Sequence, residues 1–205
     1  MDNPPSKTTF KNLVSKKIVD HWTAHLRQEA SEKTSLELFK PNFMSLSAPH
    51  PLWTSCSSNP YEVKKAIIQA TLLSGRYKTD YLARHWDKSN PNGFCLLCPG
   101  KYLFGTVQHL LLHCEALADT RSKQVEFWSA HASKDAHLHQ LLSDLLQASP
   151  LLLAQFLLDP SVVPQAIILL QRRIVTLPTL FYLTRTWCFG IHRKRLQLLG
   201  RYNYL

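Results

Sequence analysis

Acid is scarce in this chain and stops early. Asp and Glu number 14 against 24 Lys and Arg, and none follows Asp159. No two aspartates are adjacent, which removes the carboxylate pair a two-metal polymerase centre needs. No G-x-S-x-G elbow and no Walker-type glycine loop occurs, so the common hydrolase and nucleotide-loop readings fail as well. A nuclease centre after the cysteine segment would have only Asp119, Glu126, Asp135, Asp144 and Asp159 to draw on beyond Glu115. On these grounds the chain is not expected to be an enzyme by itself.

Long apolar runs are also missing. The stretch 1–17 is polar and interrupted by Pro4 and Pro5, unlike a secretory signal, so an intracellular protein of the nucleus or cytoplasm is expected rather than a secreted one. The most apolar stretch, 151–170, is broken by Asp159, Pro160 and Pro164 before it reaches the about 20 residues of a membrane span, so no membrane partner is expected.

What is present describes a folded, basic protein. Hydrophobic residues make up 45% and charged ones 19% of 205 residues, enough to build a core in one ordinary domain with appended helices. The formal charge of +10 predicts attraction to polyanions such as nucleic acid.

Apolar spacing at Leu13, Val14, Ile18, Trp22 and Leu26 marks an amphipathic helix over 11–29. Prolines at 41, 49, 51 and 60 argue for an extended connection next. A helix should then start at Asn59, with Pro60 in its first position and Glu62 three residues after the cap. Gly75 should end it, with Val63, Ile67, Ala70 and Leu72 or Leu73 facing inward. A short helix from Thr79 through Tyr81, Leu82 and Trp86 leads to the turn 90–93. Helical patterns follow over 120–132, 136–148, 151–158 and 163–173. A last helix over 178–199 should bury Leu180, Trp187, Ile191 and Leu198 and stop at Gly200. No strand alternation appears beyond a tiny hairpin near the cysteines.

Those cysteines carry the chemistry. Cys95, Cys98, His109 and Cys114 form C-x2-C-x10-H-x4-C. Two thiolates two residues apart grip one ion from a tight turn that Pro99 and Gly100 help to reverse, and a following helix supplies the rest of a tetrahedron, which suits zinc. The fourth ligand has two candidates. On an ideal helix His113 lies about 40° from His109 and Cys114 about 140°, yet thiolate is the better zinc donor. Cys114 is preferred, with His113 as the alternative. Four protein ligands leave no open position for water, which makes the zinc structural. The remaining cysteines, Cys56 and Cys188, read as small buried apolar residues.

Cations interleave with rings beside this segment at Arg76, Tyr77, Lys78, Arg84, His85 and Trp86, a pattern that serves phosphate contact and base stacking, or equally a core of rings under solvated charge. Arg185, His192, Arg193, Lys194, Arg195 and Arg201 form a second candidate phosphate face, with complementation of a helix dipole as the competing reading. The histidines at 21, 25, 131, 137 and 139 read as solvated.

The wording of these segments resembles a family. FMSL at 43–46, PHPLW at 49–53, SGRYKTD at 74–80, RHW at 84–86, CLLCPG at 95–100, GTVQHLLLHC at 105–114, FLLD at 156–159, FYLTRTWC at 181–188 and GIHR at 190–193 resemble the C-terminal region of LINE-type (non-LTR) retrotransposon reverse transcriptases. The resemblance spans nearly the whole chain. It implies Cys95, Cys98, His109 and Cys114 as CCHC zinc ligands and a role in holding template RNA or target DNA during target-primed reverse transcription. It also implies a reverse transcriptase polymerase domain as a partner. The family's polymerase palm and endonuclease have no counterpart in these residues, so its catalysis does not carry over, and the chain looks like a detached tail or a truncated copy.

The expectation is therefore a mainly α protein, a helical module around a small CCHC zinc knuckle with no substantial sheet. Its segments are an N-terminal helix and connection at 1–58, a zinc-binding helical segment at 59–132 with its knuckle at 93–115, and a C-terminal helical region at 133–205. Its function is zinc-stabilised binding of RNA or DNA through Arg76, Lys78, Arg84, Trp86, Arg185, Arg193, Lys194 and Arg195. A protein-docking scaffold and a nuclease remnant are the alternatives.

Overall fold

A computed structural model describes residues 6–33, 36–43, 46–98 and 100–200. Arg201 and Pro99, both singled out above, lie outside the described residues, as does part of the 43–46 motif.

The architecture is helical. In chain order the α-helices are α1 (Lys7–Glu32), α2 (Pro51–Thr54), α3 (Pro60–Leu73), α4 (Asp80–Ala83), α5 (Ala118–Ala132), α6 (Ala136–Gln147), α7 (Pro150–Leu158), α8 (Pro164–Gln171) and α9 (Leu177–Leu198). Among the described residues there is no strand, and the expected hairpin reduces to one antiparallel bridge between Phe94 and Phe104. No described helix is long and apolar enough to cross a membrane.

Local capping explains most helix starts. The Asn59 side chain accepts a hydrogen bond from the Tyr61 amide at 2.9 Å, with Pro60 in the first turn of α3. Thr79, Asp135, Ser149 and Thr176 cap α4, α6, α7 and α9 in the same way. The left-handed Gly200, at φ +65°, follows the last turn of α9, where its amide reaches the Gln197 carbonyl at 3.1 Å.

The core gathers around α9, which packs against α3, α5 and α7. Trp128 of α5 and Trp187 of α9 sit 4.7 Å apart between ring centroids, with Phe156 of α7 edge-on to Trp128 at 5.9 Å. All three are almost fully buried, and both indoles use their polar ends: Trp128 Nε1 donates to the Leu183 carbonyl and Trp187 Nε1 to that of Leu111, each at 3.4 Å. One apolar cluster runs from Leu72 through Leu117 and Leu145 to Ile191, so the cysteine segment and the C-terminal helices share a single core.

Tertiary packing departs from the sequence pattern in four places. The buried face of α3 is Lys65, Ala66, Gln69, Leu72 and Leu73, whereas Ile67 is exposed. The face is rotated because α7 and α9 offer polar partners: Gln69 Nε2 donates to the Leu157 carbonyl of α7 at 2.8 Å and to Thr184 Oγ1 of α9 at 2.9 Å, and Lys65 pairs with Glu62 of its own helix while lying over Tyr61 and Tyr182. The connection expected to be extended contains a 3-10 turn at Pro41–Phe43 and the single-turn α2, whose Leu52 is buried with Ala66 and Phe181. It is pinned by His50, which donates from Nε2 to Asp159 Oδ2 at 3.0 Å because its Nδ1 accepts the Leu52 amide. Leu198, in the last turn of α9, is exposed. Finally, no residue of α1 is buried, and Phe10, Leu13, Val14, Ile18 and Trp22 all face solvent.

Candidate metal centre

The knuckle is a loop folded over the N-terminus of α4. The Cys95 amide donates to the Leu103 carbonyl at 2.8 Å and the Gly105 amide to that of Gly93 at 2.9 Å, which sets the two arms side by side. Asn90 clamps the entry, donating from Nδ2 to the Phe94 carbonyl and accepting the Phe94 amide on Oδ1. Glycine is required where the arms meet α4. A Cβ at Gly105 would stand 2.7 Å from Asp80 Cβ, and one at Gly93, already at φ +68°, would stand 2.7 Å from Tyr81 Cα. Between Cys95 and Cys98 the chain tightens, with the Cys98 amide donating to the Cys95 carbonyl at 3.2 Å.

The second pair of ligands comes from a wide turn. After Thr106, whose hydroxyl accepts the His109 amide at 3.1 Å, the stretch His109–His113 is a π-helical turn, closed by the Cys114 amide on the His109 carbonyl at 2.7 Å. An i→i+5 bond adds a residue to the turn, so the residue five places on returns close to its starting direction. Cys114 itself is extended, at φ −61° and ψ 115°. That widening, which an ideal helix does not contain, brings Cys114 beside His109 and leaves His113 exposed. The turn is held by packing: Leu110 and Leu111 are buried in the core, and Trp187 takes up the Leu111 carbonyl.

Cys95, Cys98, His109 and Cys114 converge, all buried, with their donor atoms within 4.8 Å of one another. Cys95 Sγ and Cys114 Sγ are 3.9 Å apart, Cys98 Sγ and Cys114 Sγ 3.6 Å, and Cys98 Sγ and His109 Nε2 3.6 Å. An ion with metal–sulfur bonds of about 2.3 Å at the tetrahedral angle separates its sulfurs by about 3.8 Å and sulfur from nitrogen by about 3.6 Å. These three separations stand at tetrahedral edge distances, and the four residues fit a four-coordinate metal ion. The Cys95 and Cys114 thiols titrate as a pair. The hydrogen bond from Cys114 draws Cys95 down to about 4 against the effect of burial, and that same bond pushes the Cys114 thiol far up. Cys95, Cys98, His109 and Cys114 would hold a divalent ion, which would take the place of that shared proton and keep the sulfurs as thiolates.

Two neighbours escaped the sequence reading. Asp80, 4% exposed, accepts the Leu96 amide on Oδ2 at 3.1 Å and Arg195 Nη2 on Oδ1 at 2.8 Å, tying the turn between Cys95 and Cys98 to α9. Arg121 of α5 stands near enough to Cys98 and Cys114 to interact with them electrostatically, a cation beside an anionic ligand set. Nothing local in the sequence signals either, because both contacts join distant segments.

The candidate phosphate contacts divide. Arg76 and Lys78 are exposed, Arg84 is half-buried with its guanidinium 3.7 Å above the Tyr81 ring, and Trp86 is exposed. Arg193 is exposed and Lys194 half-buried, its Nζ donating to Gln197 Oε1. Arg185 and Arg195 are not surface groups. Arg185 is buried, with Nε on the Phe181 carbonyl and Nη2 on that of Ser55, both at 3.1 Å. Arg195 is buried against Asp80 and donates from Nη1 to the Lys78 carbonyl at 3.0 Å. They serve as internal clamps because α9 is the central helix and these positions face its neighbours. Of the histidines, 21, 25, 131, 137 and 139 are exposed, and among the described residues the Cys95 cluster is the one group of three or more ligand side chains that gathers. Cys188 is fully buried, its thiol pushed up by desolvation, and Cys56 is partly buried.

Comparison with protein-family models, with curated proteins and with solved structures finds no match to this chain.

Proposed function

We propose that this protein is a zinc-stabilised nucleic-acid-binding module, binding RNA or DNA, that derives from the C-terminal tail of a retrotransposon reverse transcriptase and is not catalytic alone. The observation that carries this reading is a closed, buried Cys3His donor set at tetrahedral spacing within a chain of formal charge +10. Three sulfurs and an imidazole suit zinc, and four protein donors make the ion structural rather than catalytic. Zinc with three thiolates lowers the formal charge by one, so attraction to phosphates persists. Arg76, Lys78, Arg84, Arg193 and Lys194 supply the phosphate contacts. The polymerase domain implied by the family resemblance is the natural protein partner, in the nucleus or cytoplasm.

The test is fluorescence anisotropy of the zinc-quantified protein with RNA, single-stranded DNA and duplex DNA across a salt series. Binding that weakens steeply with salt supports the reading, because counterions are released from each phosphate contacted. A folded, zinc-loaded protein that binds none of the three refutes it.

A second reading, a scaffold that docks another protein subunit, is favoured by one observation: the uncovered apolar residues of α1. It predicts weak, salt-insensitive nucleic-acid binding.

A further inference from the structure

The outer face of the knuckle carries a connected row of aromatic rings that the metal site does not use. Tyr81 and Phe104 meet edge to face with centroids 5.4 Å apart, Phe104 and Phe94 stack at 5.5 Å, and Phe94 and Tyr102 meet edge to face at 5.4 Å. These rings are not core. Tyr102 is 83% exposed and Phe104 52%, whereas Leu110 and Leu111 of the π turn are buried. Cations flank the row. The Arg84 guanidinium covers the Tyr81 end at 3.7 Å, and Lys101, ion-paired with Glu115, precedes Tyr102.

We propose that Tyr81, Phe104, Phe94 and Tyr102 form a stacking platform for unpaired nucleobases, so that the module prefers single-stranded RNA or DNA to duplex. This rests on the nucleic-acid reading above and deepens it by naming the substrate class. Rings with open faces stack on bases of any sequence, and adjacent arginine adds attraction to the base plane and the phosphate. In a duplex the bases already stack on one another and present only their edges, so such a row has nothing to grip there. The platform is also held ready in advance. Gly93 and Gly105 seat the two arms against Tyr81 and Asp80 with no room for a Cβ, and the Cys95–Cys98 turn closes the loop, so little ordering remains to be done on binding.

The probe is a short fluorescein-labelled oligouridine, its deoxy counterpart with one base replaced by 2-aminopurine, and a duplex DNA, each titrated with the full zinc-loaded chain. Tyr102→Ala is the main variant, because so exposed a ring can be removed while zinc content and melting temperature stay those of wild type. Tyr102→Ala should weaken binding of both single strands about 5- to 150-fold and abolish the 2-aminopurine quenching, while Tyr102→Phe stays within about twofold of wild type. The salt slope should not change, since no phosphate contact is lost, and duplex binding should be unaffected. Single-strand binding that persists unchanged in both Tyr102→Ala and Phe104→Ala overturns the platform and leaves the nucleic-acid reading standing. Wild-type protein that binds no nucleic acid at all overturns both.

Discussion

Asp80→Ala is the substitution that tests most of the structure at once. The Asp80 and Arg195 side chains are each 5% exposed, and their contact at 2.8 Å joins the α4 N-terminus to the last turns of α9. Removing the carboxylate leaves the guanidinium buried with one carbonyl, that of Lys78, and the Tyr77 ring 5.6 Å away as its remaining partners. Breaking a buried pair from one side costs about 3–5 kcal/mol, mostly the penalty of the orphaned charge. For a chain of this size that lowers the melting temperature by about 6–20 °C. The Leu96 amide is released as well, and loss of such an outer contact to a metal loop weakens metal affinity about 10- to 100-fold. Differential scanning calorimetry measures the first effect, and competition with a chromophoric zinc chelator the second. A thermodynamic cycle isolates the pair: Asp80→Ala with Arg195→Met should cost well under the sum of the singles, because the double variant buries no unpaired charge. A melting temperature for Asp80→Ala within about 2 °C of wild type, or strict additivity in the cycle, would refute the buried clamp.

Cys98→Ser should abolish metal binding, measured by mass spectrometry, expose the knuckle to limited proteolysis and lower the melting temperature, because Cys95, Cys98 and Cys114 belong to the same apolar core as Trp128 and Trp187 and metal-linked folding energy is lost. His192, hydrogen-bonded to the Tyr77 hydroxyl at 2.9 Å, is held down to about 4 by burial and then by Arg195. Its folded pKa lies below the ordinary 6.5, so the unfolded chain takes up the proton first. Stability therefore falls as pH drops from about 6.5 towards about 4. The urea midpoint of wild type minus that of His192→Gln should decrease across that window, and a flat difference counts against the burial. Ile18→Ser in α1 should change stability by no more than about 0.5 kcal/mol by chemical denaturation, since the Ile18 side chain is exposed.

How much was legible depends on the range of the interaction. The start of α3 could be read because Asn59 caps an amide two residues away, and the end of α9 because Gly200 takes a left-handed turn, both local matters of hydrogen bonding and sterics. The metal ligands could be read because their spacing is part of the chain itself. The choice between His113 and Cys114 could not be derived from an ideal helix, since it depended on a π turn that only the burial of Leu110 and Leu111 and the hydrogen bond from Trp187 hold open.

Charge was the least reliable guide to position. The run of cations near the C-terminus looked uniform in the sequence, yet α9 turns Arg193 to solvent and carries Arg185 and Arg195 inward to backbone carbonyls and to Asp80. Likewise the amphipathic pattern of α1 forecast a helix and not its partner, and Phe10, Leu13, Val14, Ile18 and Trp22 stay exposed among the described residues. The sequence by itself determined the start of α3 and the end of α9, which four side chains could share an ion, and the sign of the molecule's charge, because those follow from contacts within a few residues or from composition. Which face α3 buries and which arginines reach solvent were decided only by the tertiary structure, because both depend on segments about a hundred residues apart meeting around α9.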